Sequence, residues 1–397
     1  MTLVRGRVLA IVPPGDGEGD AAGAVAIIRC ERGDVRVVAD PSWHPGDLVD
    51  AGIRVRAYDG PPYPGPSTEV ARLPRVRMTM LQQRAAALAS LRRFFADREF
   101  LEVETPLLVP SPGLEIHLDA VVADAGYLIT SPEYQMKRLL AAGFERIFQV
   151  CKCFRAGERG PHHASEFTMV EWYRGFTELD AIVRDTEELV AHVIRSVNGL
   201  AIARIAGRSI DVTPPWPRMT VRQAMRQWAN VEVIGDEPAG VLVAAVRAAG
   251  IEVPDDAAWD DAFFTAFLAR VEPAIAELDR PLILEDWPAP LAALARRKPD
   301  DPLTALRFEA YVGGLELANA FGELTDPVEQ RARFEDDQRI RRERGRAVYP
   351  IDGRLIAALA EGLPPSAGIA LGFDRLVMLA TGAESIDQVL SFTAAEL

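Results

Sequence analysis

The sequence predicts an α+β fold in two parts. A small β-barrel of roughly OB type is expected over residues 1–62, and a large mixed region over 78–397, joined by a Pro/Gly-rich linker at 63–77. Three observations lead there. Early in the chain, short runs of β-forming residues alternate with Gly/Asp/Pro turns. Two hairpin patterns, at 146–176 and 306–323, alternate apolar and polar residues about turn-rich centres. Helical periodicity fills much of the remainder. With 397 residues the chain can bury a large core and form two domains.

Taken in order, the β-like pieces of the first part are Val4–Val12, Ala24–Cys30, Val35–Val38 and Ile53–Tyr58. The turns between them include Pro14-Gly15-Asp16-Gly17 and Pro45-Gly46-Asp47. Aromatics are few (Trp43, Tyr58), and a nucleic-acid-binding barrel interleaves aromatic and basic residues. This barrel therefore reads as a packing or docking module. Tyr58–Ser67 (YDGPPYPGPS) is a natural boundary.

Leu81–Phe100 is an amphipathic helix with Leu81, Ala85, Leu88, Leu91 and Phe95 on one face. It leads into a strand, Phe100–Thr105, stopped by Pro106. Strand-like runs follow at Ile116–Val122 and Tyr127–Thr130. Ser131-Pro132-Glu133 then opens a helix through Ala142, with Ser131 as N-cap and Pro132 at its first position. Helices are expected at Glu178–Val197 and Asp255–Ile275, and a strand, turn and helix at Pro281–Ala295.

Three stretches carry chemistry. The first is the hairpin of Arg146–Arg155 and Phe167–Phe176, which places Arg155 on one strand and Phe167 on the return. A guanidinium beside an aromatic ring suits the phosphate and base of a nucleotide, and equally suits an Arg stacked on a Phe at a sheet edge. The second, Leu306–Glu323, turns at Gly313-Gly314 and sets Tyr311 opposite Glu316, with Glu309 a diagonal neighbour. Two carboxylates so placed repel unless a cation such as Mg²⁺ lies between them. A solvated acidic face is the alternative, but Glu316 lies in the apolar run Leu315–Phe321 and needs a partner there. The third, Gly368–Leu379, is a strand, Gly372 and a helix that begins at Arg375, a phosphate-binding combination unless Arg375 merely pairs with Asp374.

Composition sets limits. An apolar content of 49% and mean hydropathy of +0.03 are ordinary for a globular protein. No apolar run approaches a membrane span, and the N-terminus lacks a secretory pattern, so a cytoplasmic location is expected. Cys30, Cys151 and Cys153 cannot form a disulfide framework. The net charge of −14 argues against extensive RNA binding. Nearly all basic residues are Arg, with Lys only at Lys137, Lys152 and Lys298.

In their order, the helix–strand–Pro segment, the FRxxE…EF hairpin and the GxDR segment resemble the three motifs of class II aminoacyl-tRNA synthetases, over about residues 78–397. TSPEYQMKRLL, EFTMVEWYR, GLELANAFGELTD and GIALGFDRLVMLATGAESIDQV resemble the lysyl-tRNA synthetase subgroup, and most of all its short paralogues that attach β-lysine to elongation factor P. The resemblance implies an antiparallel sheet flanked by helices, a homodimer, and ATP and Mg²⁺ as cofactors. It implies Arg155 on the α-phosphate, Phe167 stacked on adenine, and Arg375 closing on the other face or the γ-phosphate. Glu309 and Glu316 would hold Mg²⁺, and Gly372 would lie against the nucleotide. Glu133 would take an amino group, Tyr173, Asn319 and Glu323 would line the pocket for the far ammonium and the carboxylate, and Ser131, Pro132 and Ala370 would complete the amino-acid site. A Glu paired with a substrate ammonium gives selectivity, because an uncharged substrate would leave that carboxylate buried and alone.

The sequence departs from the family in places. FRAGE replaces FRNE, which moves the adenine-reading acid to Glu158, and HHASEF replaces HNPEF, which leaves Ala164 where an Asn is usual and His163 to compensate. Strict alternation puts Asn319 and Glu323 on the opposite face from Glu316, so a bulge near Ala318–Gly322 is expected. Ala370 stands where the tRNA enzymes usually carry Gly and the elongation factor P ligases Ala; its methyl would favour a shifted amino group such as that of β-lysine. The short region ahead of the catalytic part favours a protein acceptor, elongation factor P, over tRNA. Two other readings are a regulatory paralogue without catalysis and a zinc site from Cys151, Cys153, His162 and His163, although C-x-C is not the spacing of a typical structural zinc site.

Overall fold

The computed structural model describes residues 4–13, 23–31, 33–66, 68–73 and 75–397. The turn expected at Pro14–Gly17 and the linker end at Ser67 lie outside them. The chain divides into two compact units, Met1–Gln82 and Gln83–Leu397.

In the first unit β1 (Arg5–Val12), β2 (Val25–Cys30), β3 (Gly33–Val38), β4 (Leu48–Asp50) and β5 (Ile53–Arg56) form one sheet of order β3-β2-β1-β4-β5. The expected barrel is not what forms: among the described residues β3 and β5 are not bonded to each other, and the sheet is open. Val8, Ala26, Ile28, Trp43 and Val49 make its small core. Strand β4 was not expected. Its residues follow buried Asp47, whose carboxylate accepts the His44 and Tyr58 amides at 2.8 Å each and turns the chain at both places.

The second unit is built on eight strands. In chain order the strands from β6 on are β6 (Leu101–Glu102), β7 (Leu108–Val109), β8 (Val122–Ala123), β9 (Gly126–Leu128), β10 (Arg146–Phe154), β11 (Glu166–Gly175), β12 (Ile202–Ile205), β13 (Arg208–Asp211), β14 (Arg218–Thr220), β15 (Leu282–Pro288), β16 (Thr304–Val312), β17 (Leu315–Gly322) and β18 (Ser366–Gly372). The main sheet runs β14-β15-β16-β17-β18-β11-β10-β6, antiparallel except at its two edges. One face is apolar: Phe148, Val170, Trp172, Phe308, Ala318, Ile369 and Leu371 pack against helices Arg75–Ala96, Leu179–Asn198 and Phe373–Thr381. Helix Leu179–Asn198 explains its own placement, since Ile182, Val183, Thr186, Leu189, Val190, Val193 and Ile194 recur at helical spacing and are buried. Fully burying one such aliphatic side chain stabilises the fold by about 1.5–3 kcal/mol. The opposite face of the sheet is polar.

Four sequence expectations need correction. The helix expected at Leu81–Phe100 runs Arg75–Ala96, and Glu99 (φ 60) turns the chain into β6. Ile116–Val121 is not a strand, because buried Arg341 takes the carbonyls of Glu115 (2.6 Å) and Leu118 (2.8 Å) that a ladder would have used. Asp255–Ile275 starts later, at Trp259, and passes through a π-turn at Phe267–Val271 before Glu272–Ala276. After β15 only a 3₁₀ turn, Ala289–Leu291, forms where a helix was expected; Pro288 and Pro290 flank its first residue and deny donors to a longer helix.

Candidate active site

The polar face is ordered by strand register. Across one row lie Glu309, Asn319, Ala370, Glu171 and Gln149; across the next, Arg307, Phe321, Gly368, Tyr173 and Ile147. Toward the other end come Tyr311 opposite Glu316, then Gly372, Met169 and Cys151, then Phe167 opposite Cys153. Because side chains alternate along a strand, cross-strand partners share a face. Asn319 and Glu316 share this one because Leu317 is an extra residue between the pairs Tyr311–Glu316 and Ala310–Ala318. The expected bulge exists, one residue before the stretch assigned to it. The turn joining β16 and β17 has Gly313 at φ 59 and Gly314 at φ 84, the left-handed pair of a two-residue hairpin.

At one end of this face are the arginines. Arg155 lies 5.1 Å from the centre of the Phe167 ring and 3.8 Å from Glu158. Gly157, the residue added in FRAGE, adopts φ 78 and absorbs the longer turn. The Nε of Arg155 is buried without a hydrogen-bond partner. Arg375 donates to the Glu316 carbonyl at 2.6 Å, contacts His163 Nε2 at 2.7 Å, and lies 3.9 Å from the Glu316 carboxylate. Burial, then the charge of Arg375, hold the His163 imidazole below its ordinary pKa, so it is neutral beside the guanidinium. Asp374 does not pair with Arg375: it takes the Thr168 amide at 2.7 Å and pairs with Arg84 at 2.6 Å, which leaves Arg375 to the site. Gly372 caps the last helix, and a Cβ there would meet only the flexible Arg375 chain, at 3.3 Å. Ala164 packs against the apolar core.

Beside them, Glu309 is buried and held at both oxygens, by Arg307 at 2.6 Å and the Tyr311 hydroxyl at 2.5 Å. Burial, then the nearby Glu316, push its carboxyl up to about 7. Arg307 also donates to Asn319 Oδ1 at 3.2 Å and lies 4.3 Å over the Trp287 ring.

At the other end two carboxylates clasp one ammonium and a third lies beside them. Lys137, fully buried, sits 2.6 Å from Glu133 and 2.6 Å from Glu323. Glu171, equally buried, accepts from the Ser131 hydroxyl at 2.5 Å and the Tyr173 hydroxyl at 3.0 Å. Burial drives the Glu171 carboxyl well above its usual range. Burial also pushes Glu323 up to about 8 against the pull of Lys137, while Glu133 and Glu323 together keep the Lys137 ammonium charged despite its burial. With one ammonium among three acids, burial thus favours the protonated forms of Glu171 and Glu323. Gly368 makes room for the cluster, since a Cβ there would fall 2.2 Å from the Tyr173 ring. The helix begins at Glu133, one residue later than expected. Ser131 Oγ accepts the Glu133 amide at 3.1 Å while donating to Glu171, and the Pro132 carbonyl accepts the Met136 amide at 3.1 Å.

The structure thus brings every sequence-proposed site residue onto or beside one face. Three contributors were missed: Glu171, Lys137 and Arg307. Signals existed for two of them. Glu171 interrupts the apolar run of MVEWY, and Lys137 is a lysine in a chain that otherwise uses arginine, at a place where a compact point charge must fit between two acids. His162 and His163 are turned to Arg375, the former through its carbonyl at 3.3 Å, and no zinc site joins them to the cysteines. Among the described residues no group of three His, Cys, Asp or Glu side chains is arranged to hold a metal ion.

Comparison with known proteins agrees with this architecture. The family model for class II tRNA synthetases (D, K and N) matches residues 70–396. Curated relatives named elongation factor P--(R)-β-lysine ligase are 40% identical in Klebsiella pneumoniae and in Erwinia tasmaniensis, and 39% in Salmonella agona. Each alignment covers 81% of this chain and 96% of the relative. The chain belongs to the class II tRNA synthetase family.

Proposed function

We propose that the protein is an ATP-dependent ligase that activates lysine or β-lysine as an aminoacyl-adenylate and transfers it to a lysine of translation elongation factor P. The observation that carries this reading is the single sheet face on which two arginines, an aromatic ring and an acid pair lie next to a buried cluster of carboxyl groups around one lysine. The names of the relatives support both the amino acid and the acceptor.

On this reading Arg155 holds the α-phosphate, Phe167 stacks on adenine with Glu158 at its edge, and Arg375, oriented by His163, closes on the nucleotide near Gly372. Glu133, Glu171 and Glu323 take the substrate ammonium groups, with Ser131, Pro132, Tyr173, Asn319 and Ala370 shaping the pocket. The substrate carboxylate attacks the α-phosphorus in line and pyrophosphate leaves. No general base is needed, because that carboxylate is already ionised. The chain contributes orientation and fixed positive charge where oxygen charge develops. Glu309 and Glu316 would hold Mg²⁺; burial, and after it the charge of Glu316, raise the Glu309 carboxyl, and a divalent cation would relieve that second cause. Mg²⁺, when bound, supplies further positive charge against the phosphate oxygens. A homodimer and a cytoplasmic location belong to the same proposal; sedimentation tests the first. No helix among the described residues is long and apolar enough to cross a membrane.

Pyrophosphate exchange with a panel of amino acids, followed by transfer to elongation factor P or tRNA, tests the whole. Exchange with lysine or β-lysine and label in the protein acceptor are expected. Label in tRNA alone replaces the acceptor, and no exchange with any amino acid favours a regulatory paralogue. Glu323→Gln should abolish lysine-dependent exchange while ATP still binds by calorimetry; unchanged exchange removes Glu323 from ammonium recognition.

A further inference from the structure

The polar face contains a second chemistry that the ligase reading leaves unused. Cys151 and Cys153 are two residues apart on β10, and Met169 stands directly opposite Cys151 on β11. Alternation turns all three sulfurs to the same side. The Cys151 and Cys153 sulfurs are 3.9 Å apart, and the Cys153 sulfur is 4.0 Å from the Met169 thioether. Three sulfurs about one ion in a trigonal plane, with bonds of about 2.3 Å, lie about 4.0 Å from each other. Two of the three edges have that length before any ion is present, and the third joins Cys151 to the Met169 that stands opposite it in register.

The surroundings select among cations. Val109, Ile129, Phe167 and Ala370 pack around the sulfurs; the buried Glu171 carboxyl lies near enough for both thiols to feel its charge, but among the described residues no three His, Cys, Asp or Glu side chains are arranged about an ion. A hard ion such as Mg²⁺ takes six oxygen ligands rather than three sulfurs, and zinc in a structural site takes four ligands. Thiolate with thioether is the donor set that favours Cu(I). Cys151 is half-buried and gives the cluster a way in, while Cys153 is sealed.

We propose that Cys151, Cys153 and Met169 form a three-sulfur site for a soft monovalent cation, Cu(I), within the wall between the adenine-side ring Phe167 and the carboxylate cluster. On binding, the two S–H bonds break and their protons leave to solvent. Two thiolate–copper bonds and one dative bond from the thioether form, and copper keeps its oxidation state. An ion there fixes Met169 and the neighbouring Phe167, so occupancy should depress ATP-dependent exchange. The binding claim is independent of the ligase proposal.

The test uses the full chain under anaerobic conditions, with Cu(I) supplied as its bicinchoninate complex, whose colour fades as the protein takes the metal. Wild type is expected to withdraw one equivalent. Cys153→Ser should weaken uptake at least about 100-fold and Met169→Leu about tenfold, with Cys30→Ser unchanged; secondary structure by circular dichroism verifies folding. X-ray absorption of the copper-loaded wild type should find three sulfur neighbours, which keeps the test alive even if a variant misfolds. A complex that keeps its colour, uptake lost with Cys30→Ser, or nitrogen and oxygen neighbours around the copper would each overturn the proposal. Loss of pyrophosphate exchange is read separately, so failure of the ligase reading leaves this outcome legible.

Discussion

The two ends of the polar sheet face are built on opposite principles. At the carboxylate end Lys137, Glu133, Glu171 and Glu323 are locked together out of water, each oriented by a neighbour at 2.5 to 3.0 Å. At the arginine end Arg155 rests on Phe167 and Glu158, and Arg375 on His163 and Glu316, with part of each side chain in solvent and ion pairs as long as 3.8 and 3.9 Å. A locked cluster fixes which charge a ligand must bring. A loosely parked one costs little to rearrange around a ligand whose phosphates supply better partners. Fold stability should therefore depend on the first end and catalysis on the second.

The largest effect expected is at Lys137. Lys137→Met leaves Glu133 and Glu323 buried without their cation, which should lower unfolding stability in urea by about 3–5 kcal/mol. Combining it with Glu323→Gln should return part of that loss, because one of the two acids left without the ammonium is gone. A Lys137→Met protein as stable as wild type would erase the distinction between the ends.

Arg375→Ala tests the other end. Its partners are a carbonyl, a histidine and a distant carboxylate, so stability should change by only about 1 kcal/mol. Pyrophosphate exchange should fall about 10²- to 10³-fold, the usual cost of one preorganised cation or donor at developing charge. Unfolding without loss of exchange in the residual folded fraction would reverse the assignment.

A third effect depends on pH. Glu309 and Glu323 titrate at about 7 and about 8 in the folded protein, above the ordinary 4.5. Between these values the folded chain binds more protons than the unfolded one. Stability contributed by the protonated acids is present at low pH and lost as pH rises through 7 to 8, on the order of 3 kcal/mol for Glu309 alone. Thermal melts of the ligand-free protein from pH 5 to 8.5 should show this decline, flattened in Glu309→Gln and Glu323→Gln. A ligand-free stability that rises across that interval would show that the acids are already ionised and compensated.

Much of this arrangement was legible in the chain. Hairpin period and the Gly313-Gly314 turn located β16 and β17, and the pairing of Tyr311 with Glu316 followed from the turn alone. What could not be read is set by distant partners. The Leu317 bulge decides which residues share a face, yet leucine there looks like any apolar strand residue. Ile116–Val121 has strand-forming residues but gives its carbonyls to Arg341, more than two hundred positions away. Lys137 was noticed as a rarity of composition, but only folding brings it to Glu323. Four of the five strands in the first unit's sheet lie where the turns predict them and Leu48–Asp50 does not; closure depends on edge pairing, which local pattern does not encode.

The smallest effect sharpens the comparison within the carboxylate end itself. Ala370 is half-buried and stands between Asn319 and Glu171 in register, so its methyl is the only side-chain carbon of that position on the face. Ala370→Gly removes it without touching a charge. Glycine in a strand should cost about 0.5–1 kcal/mol of stability. The space released lies where the backbone end of a substrate would rest, so the preference for β-lysine over α-lysine in exchange should fall about tenfold, the lower range for one methyl-sized change in a pocket. Because Lys137 and the three acids are untouched, selectivity for a cationic amino acid over a neutral one should stay the same. If the ratio of the two lysines does not move, the methyl does not face the substrate; if cation selectivity moves with it, the carboxylate cluster is not the rigid element that its burial implies.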